Sequence, residues 1–184
     1  MYLFFDTETN GFPPKARMTQ LGFILTDKNG KTLTEHSSII YPDGWEVPKE
    51  KFFIENNIST ERCQKEGVPV YEPLRAFQEA LKLAKYKIAH NIKFDNQIIS
   101  KEIQLAGITS ELFKFKKGYC TMLESVDLCK LPGRYPGNYK WPKLIELHNH
   151  LFGCDFEGAH DALDDVKATV KCFFELKKCG LINI

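Results

Sequence analysis

The stretch "YLFFDTETNGFP", residues 2–13, joins a run of apolar residues directly to two acidic ones. The apolar run predicts a short buried strand over residues 2–6, and the glycine and proline behind it predict a turn. Side chains alternate between the two faces of a strand, so Asp6 and Glu8 point the same way. Two neighbouring carboxylates repel each other unless a positive charge lies between them. Oxygen ligands suit Mg²⁺ or Mn²⁺, so the pair indicates a metal site; the alternative is a strand end whose acids face water.

The composition is that of an ordinary globular protein. The chain has 184 residues, of which 43% are apolar and 27% charged, and its formal net charge is +1. This length predicts a single domain, residues 1–184. The sequence has no apolar run of about 18 residues and no signal peptide, so we expect no membrane span and a cytoplasmic location. The small net charge decides nothing about nucleic acid, because a total hides how charge is distributed.

Six cysteines are present, and none of their spacings matches a zinc site or a C-x-x-C pair. In a cytosolic protein they are expected to be reduced thiols, several of them buried as small apolar residues.

Strands dominate the first part of the chain, and helices alternate with strands in the rest. Residues 19–27 and 31–41 have strand character and flank "KNG", a hairpin signal, so with the first strand they predict an antiparallel meander. Further strands are expected at 86–91 and 118–122, and helices near 49–57 and at 71–85, 94–107, 141–153 and 161–179. This order predicts an α/β fold with a mixed sheet flanked by helices.

A second acidic position follows the strand in "IAHNIKFDNQII", residues 88–99. His90 and Asn91 end the strand, and Asp95 falls in the first turn of the next helix. The helix dipole alone would explain an acid there, so the weight of Asp95 comes from the other sites.

The last helix supplies a third acidic position. At 100° per residue, one face of the helix is built from Ala162, Val166, Thr169, Phe173 and Leu176. Asp165 lies beside this apolar face, where a carboxylate is costly unless it is paired or bound to a metal, whereas Asp164 points towards solvent. His160 stands at the start of the helix, and its near-neutral pKa suits a general base.

Taken together, three motifs resemble those of the DEDDh, or DnaQ-like, family of 3′–5′ exonucleases. They are "FDTETNG" (5–11), "AHNIKFD" (89–95) and "HDALDD" (160–165). All five signature positions are present in the expected order, from about residue 2 to about 180, with the weakest likeness between 42 and 70. The resemblance implies an RNase H-like fold, which agrees with the mixed five-stranded sheet inferred from the pattern.

The resemblance also implies a mechanism and a cofactor. Asp6, Glu8 and Asp165 would hold one Mg²⁺ or Mn²⁺, and Asp6 would bridge to a second such ion near Asp95. His160 would take the proton from the attacking water. The expected product is a nucleoside 5′-monophosphate released from a 3′ end.

Candidates for substrate contact follow from the same motifs, namely Thr9, Gly11, Phe12, His90 and Asn91. Phe12 would stack on the last base, the alternative being that it packs under its loop. His90 and Asn91 look exposed and would contact phosphate or orient Asp95, the alternative being a purely local role. The first motif ends in Asn-Gly where many relatives have Thr-Gly, so the choice of sugar and base stays open.

Two stretches interleave basic and aromatic residues, "FKFKKGY" (113–119) and "GRYPGNYKWPK" (133–143). Such stretches suit phosphate contact with base stacking on a single strand, and equally suit a solvated loop anchored by buried aromatics.

The leading hypothesis is thus a 3′–5′ exonuclease acting on DNA 3′ ends, single-stranded ones first. Alternatives are an RNA-trimming relative of the oligoribonuclease or RNase T type, and a non-catalytic nucleic-acid-binding subunit. The last would be expected to have lost at least one signature residue. Contact with a polymerase and homodimer formation are both left undecided by the sequence.

Overall fold

The computed structural model describes residues 1–135 and 137–184, and these contain five strands and nine helices. The strands are β1 (Tyr2–Thr9), β2 (Met18–Thr26), β3 (Thr32–Ile39), β4 (Tyr86–Ala89) and β5 (Lys117–Cys120). The helices are α1 (Lys51–Glu55), α2 (Thr60–Glu66), α3 (Tyr71–Leu83), α4 (Ile92–Leu105), α5 (Glu111–Phe115), α6 (Thr121–Glu124), α7 (Val126–Cys129), α8 (Leu144–Phe152) and α9 (Ala162–Lys178).

The strands form one mixed sheet in the order β3-β2-β1-β4-β5. β1 pairs with β2, and β2 with β3, in antiparallel fashion, which is the predicted meander. β4 lies parallel to β1 on its other side, and β5 lies parallel to β4. The prediction of a mixed five-stranded sheet flanked by helices is therefore confirmed.

Helices cover both faces of this sheet. Because side chains alternate along β1, Leu3 and Phe5 pack with residues of α3 and α4 on one face. Tyr2 and Phe4 point the other way and pack against α9. β1 is thus the central strand, buried on both faces, and its acidic residues lie where that buried strand ends.

The start of α9 lies directly on the sheet, opposite the acidic end of β1. Gly22 on β2 pairs with Asp6. A Cβ atom on this glycine would lie 2.6 Å from the carbonyl carbon of Ala162, so only glycine permits this close approach. Asp161 caps the helix by accepting hydrogen bonds from two backbone N–H groups, and Gln20 Nε2 donates to its Oδ2 at 2.9 Å. These contacts fix where the first turn of α9 sits.

The predicted elements are present with shifted ends, and four short helices were not predicted. The expected final helix at 161–179 is Ala162–Lys178, and the expected strand at 118–122 is Lys117–Cys120. The helix expected near 49–57 shrinks to α1. Unpredicted are α2, α5, α6 and α7, which are four to seven residues long and too short to show a helical period.

All six cysteines are free thiols, and four of them are buried, in line with their expected role as small apolar residues. None of the helices in the described part of the chain has the length and apolar character that crossing a bilayer would require.

Candidate active site

Asp6 and Glu8 lie at the carboxyl end of the central strand, beside the end of β4. The two strands are parallel, with Phe4 opposite Ile88, so their carboxyl ends meet at one edge of the sheet. α4 starts shortly after β4 and carries Asp95 in its first turn. The fold therefore brings the first and second acidic segments together.

Asp95 is attached to the strand that carries the other two acids. Thr7, between Asp6 and Glu8, points to the opposite face of β1. Its backbone N–H and its hydroxyl both donate to Asp95 Oδ1, at 3.0 and 2.8 Å. Asp95 is only 2% exposed, so these two hydrogen bonds hold its carboxylate within a buried environment.

Asp165 comes to the same place from the opposite face of the sheet, in the first turn of α9. The backbone N–H of His160 donates to its Oδ2 at 3.1 Å. One ligand atom each from Glu8, His160 and Asp165 lies within 4.8 Å of the other two. Three segments far apart in the chain thus supply four carboxylates and one imidazole to a single site.

The four carboxyl groups destabilise one another in their charged forms. Burial, followed by repulsion from Asp95, Asp165 and Glu8, raises the pKa of Asp6 well above its ordinary value. Burial and the neighbouring acids raise the pKa of Glu8 to about 8. Burial is also the main cause that raises the pKa of Asp95 and of Asp165 to about 7, despite hydrogen bonds to each that favour the charged form.

This repulsion is not relieved by a paired lysine or arginine within the described part of the chain. Among residues 1–135 and 137–184, none of the ion pairs involves any of the four carboxylates. An oxygen-rich cluster of this kind is the donor set that hard divalent cations prefer. The residues therefore fit the metal site that the sequence predicted.

His160 stands at the open side of this cluster. Its backbone adopts the left-handed conformation, with φ 72°, which turns the chain just before α9. The ring of Phe52 on α1 meets the imidazole edge-on at 5.2 Å between centroids. Burial and the nearby Lys143 lower the pKa of His160, which favours the neutral ring that can accept a proton.

The two other acids of the last motif have structural roles. Asp164, expected to be solvated, has a side chain that is 41% exposed and pairs with Lys167 at 3.3 Å. Asp161, not singled out from the sequence, caps α9 and contacts Gln20.

The loop after β1 presents Phe12 to solvent. Its side chain is 83% exposed, so it does not pack under the loop, and its ring lies edge-on to Phe94 at 6.5 Å. Thr9 is buried, and its hydroxyl donates to the Gly11 carbonyl at 2.8 Å. Thr9 therefore shapes this loop, and Phe12 is the side chain that a ligand can reach.

His90 and Asn91 differ from what the sequence suggested. The ring nitrogens of His90 lie 3.0 Å from the Thr121 hydroxyl and 2.9 Å from the Pro142 carbonyl, which leaves neither nitrogen for a phosphate. Burial lowers the pKa of His90 to about 4. Asn91 adopts the left-handed conformation, with φ 69°, between β4 and α4. Both residues are half-buried and not exposed as expected. The contacts of the His90 ring with α6 and with the segment before α8 favour the alternative of a local role.

The two basic and aromatic stretches are also used structurally in part. Lys116 donates to the Ala84 carbonyl at 2.6 Å, and Lys140 pairs with Glu146. Lys117 begins β5, opposite Tyr86 at the start of the parallel strand β4. It therefore lies at the end of the sheet remote from the acids. Pro136, within the second stretch, lies outside the described residues.

Sequence reasoning missed Thr7, Gln20 and Phe52. A threonine between two acids of a strand was a usable signal for Thr7, because it must face the other side. No local signal marks Gln20 or Phe52, whose partners Asp161 and His160 are more than 100 residues away.

Comparison with known proteins agrees with this geometry. Residues 3–173 match the family model for RNase T, whose description is "Exonuclease". An "Uncharacterized exonuclease CP81" of Escherichia phage 186 is 26% identical over 182 residues, covering 97% of this chain and 89% of its own. The "3'-5' exonuclease DinG" of Bacillus subtilis (strain 168) is 27% identical over 177 residues, 95% of this chain but only 17% of DinG.

Solved structures of exonuclease I share the fold. The apo enzyme superposes with a TM-score of 0.78 at 17% identity, over 96% of this chain and 42% of that one. A crystal structure of E. coli exonuclease I with a dA16 oligonucleotide gives 0.77 at 18%, over 96% and 40%. This chain thus spans about two fifths of exonuclease I.

These findings define the class: a DnaQ-like exonuclease domain of the RNase H-like type. The chain belongs to this exonuclease family, and the resemblance drawn from its three motifs is confirmed.

Proposed function

We propose that this protein is a metal-dependent 3′–5′ exonuclease that releases nucleoside 5′-monophosphates from single-stranded DNA, with residues 1–184 acting as one catalytic domain. The observation that carries the proposal is the convergence of four uncompensated carboxylates with a neutral histidine at the end of the central strand. A structural acid would be paired with a base, whereas these acids are arranged to share a ligand.

Divalent cations fit this cluster. Asp6, Glu8 and Asp165 would hold one, with a second between Asp6 and Asp95. When bound, such ions bind the scissile phosphate and lower the pKa of an attacking water. The carboxylates would bind the ions in their ionised forms, and their attraction to the cations would offset the burial and mutual repulsion that raise their pKa values.

His160 suits the role of general base. A ring nitrogen would accept the proton of the attacking water as its oxygen bonds to phosphorus and the bond from phosphorus to the leaving 3′ oxygen breaks. The leaving 3′ oxygen takes a proton from solvent, so the strand ends in a new 3′-hydroxyl and the terminal nucleotide leaves as a 5′-monophosphate. The hydrogen bond to Asp165 fixes the backbone of His160, and the edge of Phe52 restricts its ring.

Phe12 supports the placement of a 3′ end. It is the exposed aromatic residue of the loop that follows the acids, and base stacking on such a ring contributes about 1–3 kcal/mol. The loop is rigid at its base, where Asn10 Oδ1 accepts from the Arg17 backbone and Asn10 Nδ2 donates to the Glu46 carbonyl. The terminal base would stack on Phe12 while its phosphate faces the acids.

The relatives support both the 3′–5′ direction of digestion and DNA as the substrate. DinG is named a 3′–5′ exonuclease, and exonuclease I was solved with DNA oligonucleotides. RNA is the alternative substrate, and the sugar preference depends on contacts with the 2′-hydroxyl.

An activity series tests the proposal. DNA single strands labelled at the 5′ end, the matching duplex and RNA of the same sequence are incubated with Mg²⁺, Mn²⁺ or EDTA. We expect a ladder of stepwise shortening on single-stranded DNA, abolished by EDTA and by a phosphorothioate block at the 3′ end. His160→Gln should slow the reaction by about 10²–10⁴-fold, as loss of a general base does. Binding of Mn²⁺ should change little.

His150→Gln is the matched control, because His150 is an exposed histidine of α8. It should retain full activity. A folded protein that digests none of the three substrates with either metal, or that shortens them from the 5′ end, would overturn the proposal.

A further inference from the structure

A groove of about 1320 Å³ follows the outer side of α4. The loop from Pro13 to Ala16 forms one wall, and Ile108 to Lys114 bounds the far end. α4 has 14 residues, so the groove runs for about 21 Å, the length of the helix. This is long enough for several nucleotides of an extended strand.

The groove has the opposite charge to the active site. Lys93, Lys101 and Lys114 line it, and none of the described residues that line it is acidic. Lys93 and Lys114 are exposed, and neither forms an ion pair with the described residues. A single strand of nucleic acid carries negative phosphates and apolar base faces. It is therefore complementary to a surface of lysines interspersed with Pro, Ile and amide side chains.

The groove starts beside the active site. Pro13 follows Phe12, whose ring touches Phe94 on α4, and the next residue of that helix is Asp95. At the other end, Lys114 is followed by Phe115, which is 83% exposed. The groove thus connects the acidic cluster with part of the "FKFKKGY" stretch.

One wall of the groove is rigidly attached to α4. Lys101 Nζ donates to the carbonyls of Pro14, Lys15 and Ala16 at 3.0, 2.9 and 2.8 Å. Just beyond this wall, Arg17 pairs with Glu102 at 2.8 Å. The groove is therefore preformed, so a ligand that binds there does not have to order this wall.

We propose that this groove binds the single strand of nucleic acid on the 5′ side of its 3′ end, with Lys93 and Lys114 contacting phosphates and exposed apolar side chains contacting bases. This inference rests on the proposed exonuclease function and extends it to the path of the strand. Substrates that reach the groove are bound more tightly than a dinucleotide that fills only the active site.

The test compares Lys93→Ala/Lys114→Ala with wild type on single strands of about 12 nucleotides and on a dinucleotide. Each lost phosphate contact costs about fivefold in affinity near 0.1 M salt, so loss of both should lower the ratio of kcat/KM between the long and short substrates about 25-fold. The slope of log Kd against log salt, from fluorescence anisotropy in EDTA, should decrease by about 0.7 for each contact.

Lys171→Ala is the control, since it removes one lysine charge from the exposed side of α9, outside the groove. It should leave both measurements as in wild type. DNA and RNA arms of the same sequence separate the two sources of such a strand.

A double variant that keeps the wild-type ratio of kcat/KM and the wild-type slope of log Kd against log salt would overturn the proposed strand path. A wild type without preference for the longer strand would overturn it too. Failure of the wild type to cut either substrate would instead overturn the exonuclease function. The melting temperature of each variant, compared with that of wild type, separates a loss of binding from a loss of folding.

Discussion

Asp95 and Glu102 are two buried acids of the same helix, two turns apart, and their surroundings are opposite. Glu102 is 1% exposed and accepts from Arg17 Nε at 2.8 Å, from its Nη2 at 3.1 Å and from the Met18 backbone at 3.1 Å. Asp95 is 2% exposed and accepts from the neutral donors of Thr7, with other carboxylates nearby.

The contrast separates a structural acid from a functional one. A buried charge with a bidentate guanidinium partner anchors the loop after β1 to α4. A buried charge without such a partner is a net cost to folding, and is retained where a ligand supplies the missing positive charge. The same helix thus contributes both to loop position and to the proposed active site.

Substituting each of these two acids by its amide should give the largest effects. Asp95→Asn should lower activity by at least about 10³-fold, because it removes charge that holds a cation. The metal-free protein should be no less stable, since the side-chain carbonyl of the new amide still accepts from Thr7. Glu102→Gln should lower the free energy of unfolding by about 3 kcal/mol, because Arg17 is left without its partner.

Exonuclease assays measure the activity, and urea denaturation in EDTA measures the free energy of unfolding of the metal-free protein. The reverse pattern, with a strongly destabilised Asp95→Asn and an unchanged Glu102→Gln, would contradict a structural role for Glu102 and a functional one for Asp95.

The uncompensated acids should also make stability depend on pH. In the metal-free protein their folded pKa values, about 8 for Glu8 and about 7 for Asp95 and Asp165, lie above the ordinary values near 4. The folded state then binds more protons than the unfolded one between about pH 4 and pH 8. Stability present below pH 4 is therefore lost as the pH rises through this window.

Chemical denaturation at several pH values, with and without Mn²⁺, measures this loss. Added Mn²⁺ should restore stability at pH 8, and Asp165→Asn should flatten the metal-free profile. Metal-free stability that rises between pH 5 and pH 8 would contradict the account.

A smaller effect is expected where the histidine meets α1. Phe52→Ala should lower kcat about fivefold, since an aromatic edge contact contributes about 0.5–1.5 kcal/mol. Phe52→Tyr should keep the ring and restore the rate. Ile54→Ala is the control, because Ile54 is an exposed residue of the same short helix that points elsewhere. Equal losses in both alanine variants would show that α1 as a whole, and not the Phe52 contact, is responsible.

The sequence predicted what periodicity and spacing encode. Alternation along β1 placed Asp6 and Glu8 on one side, and helical geometry placed Asp165 beside the apolar face of α9. The meander and the order of later elements followed from turn signals and period. These features depend on neighbours within a few residues, which is why they were accessible.

What the sequence could not show depends on distant partners. Gly22 looks like any strand glycine until α9 packs on it. His90 looked exposed because the partners of its two nitrogens, Thr121 and Pro142, are 31 and 52 residues away. Lys117 was not recognisable as remote from the acids until the direction of β5 was known.

Anomalous diffraction from a crystal soaked in Mn²⁺ locates the ion among named side chains, and so shows whether the acids share a cation. We predict a manganese peak within bonding distance of Asp6, Glu8 and Asp165, absent in crystals of Asp6→Asn. Carboxylates that point apart, with no peak among them at saturating Mn²⁺, would contradict the shared-cation site.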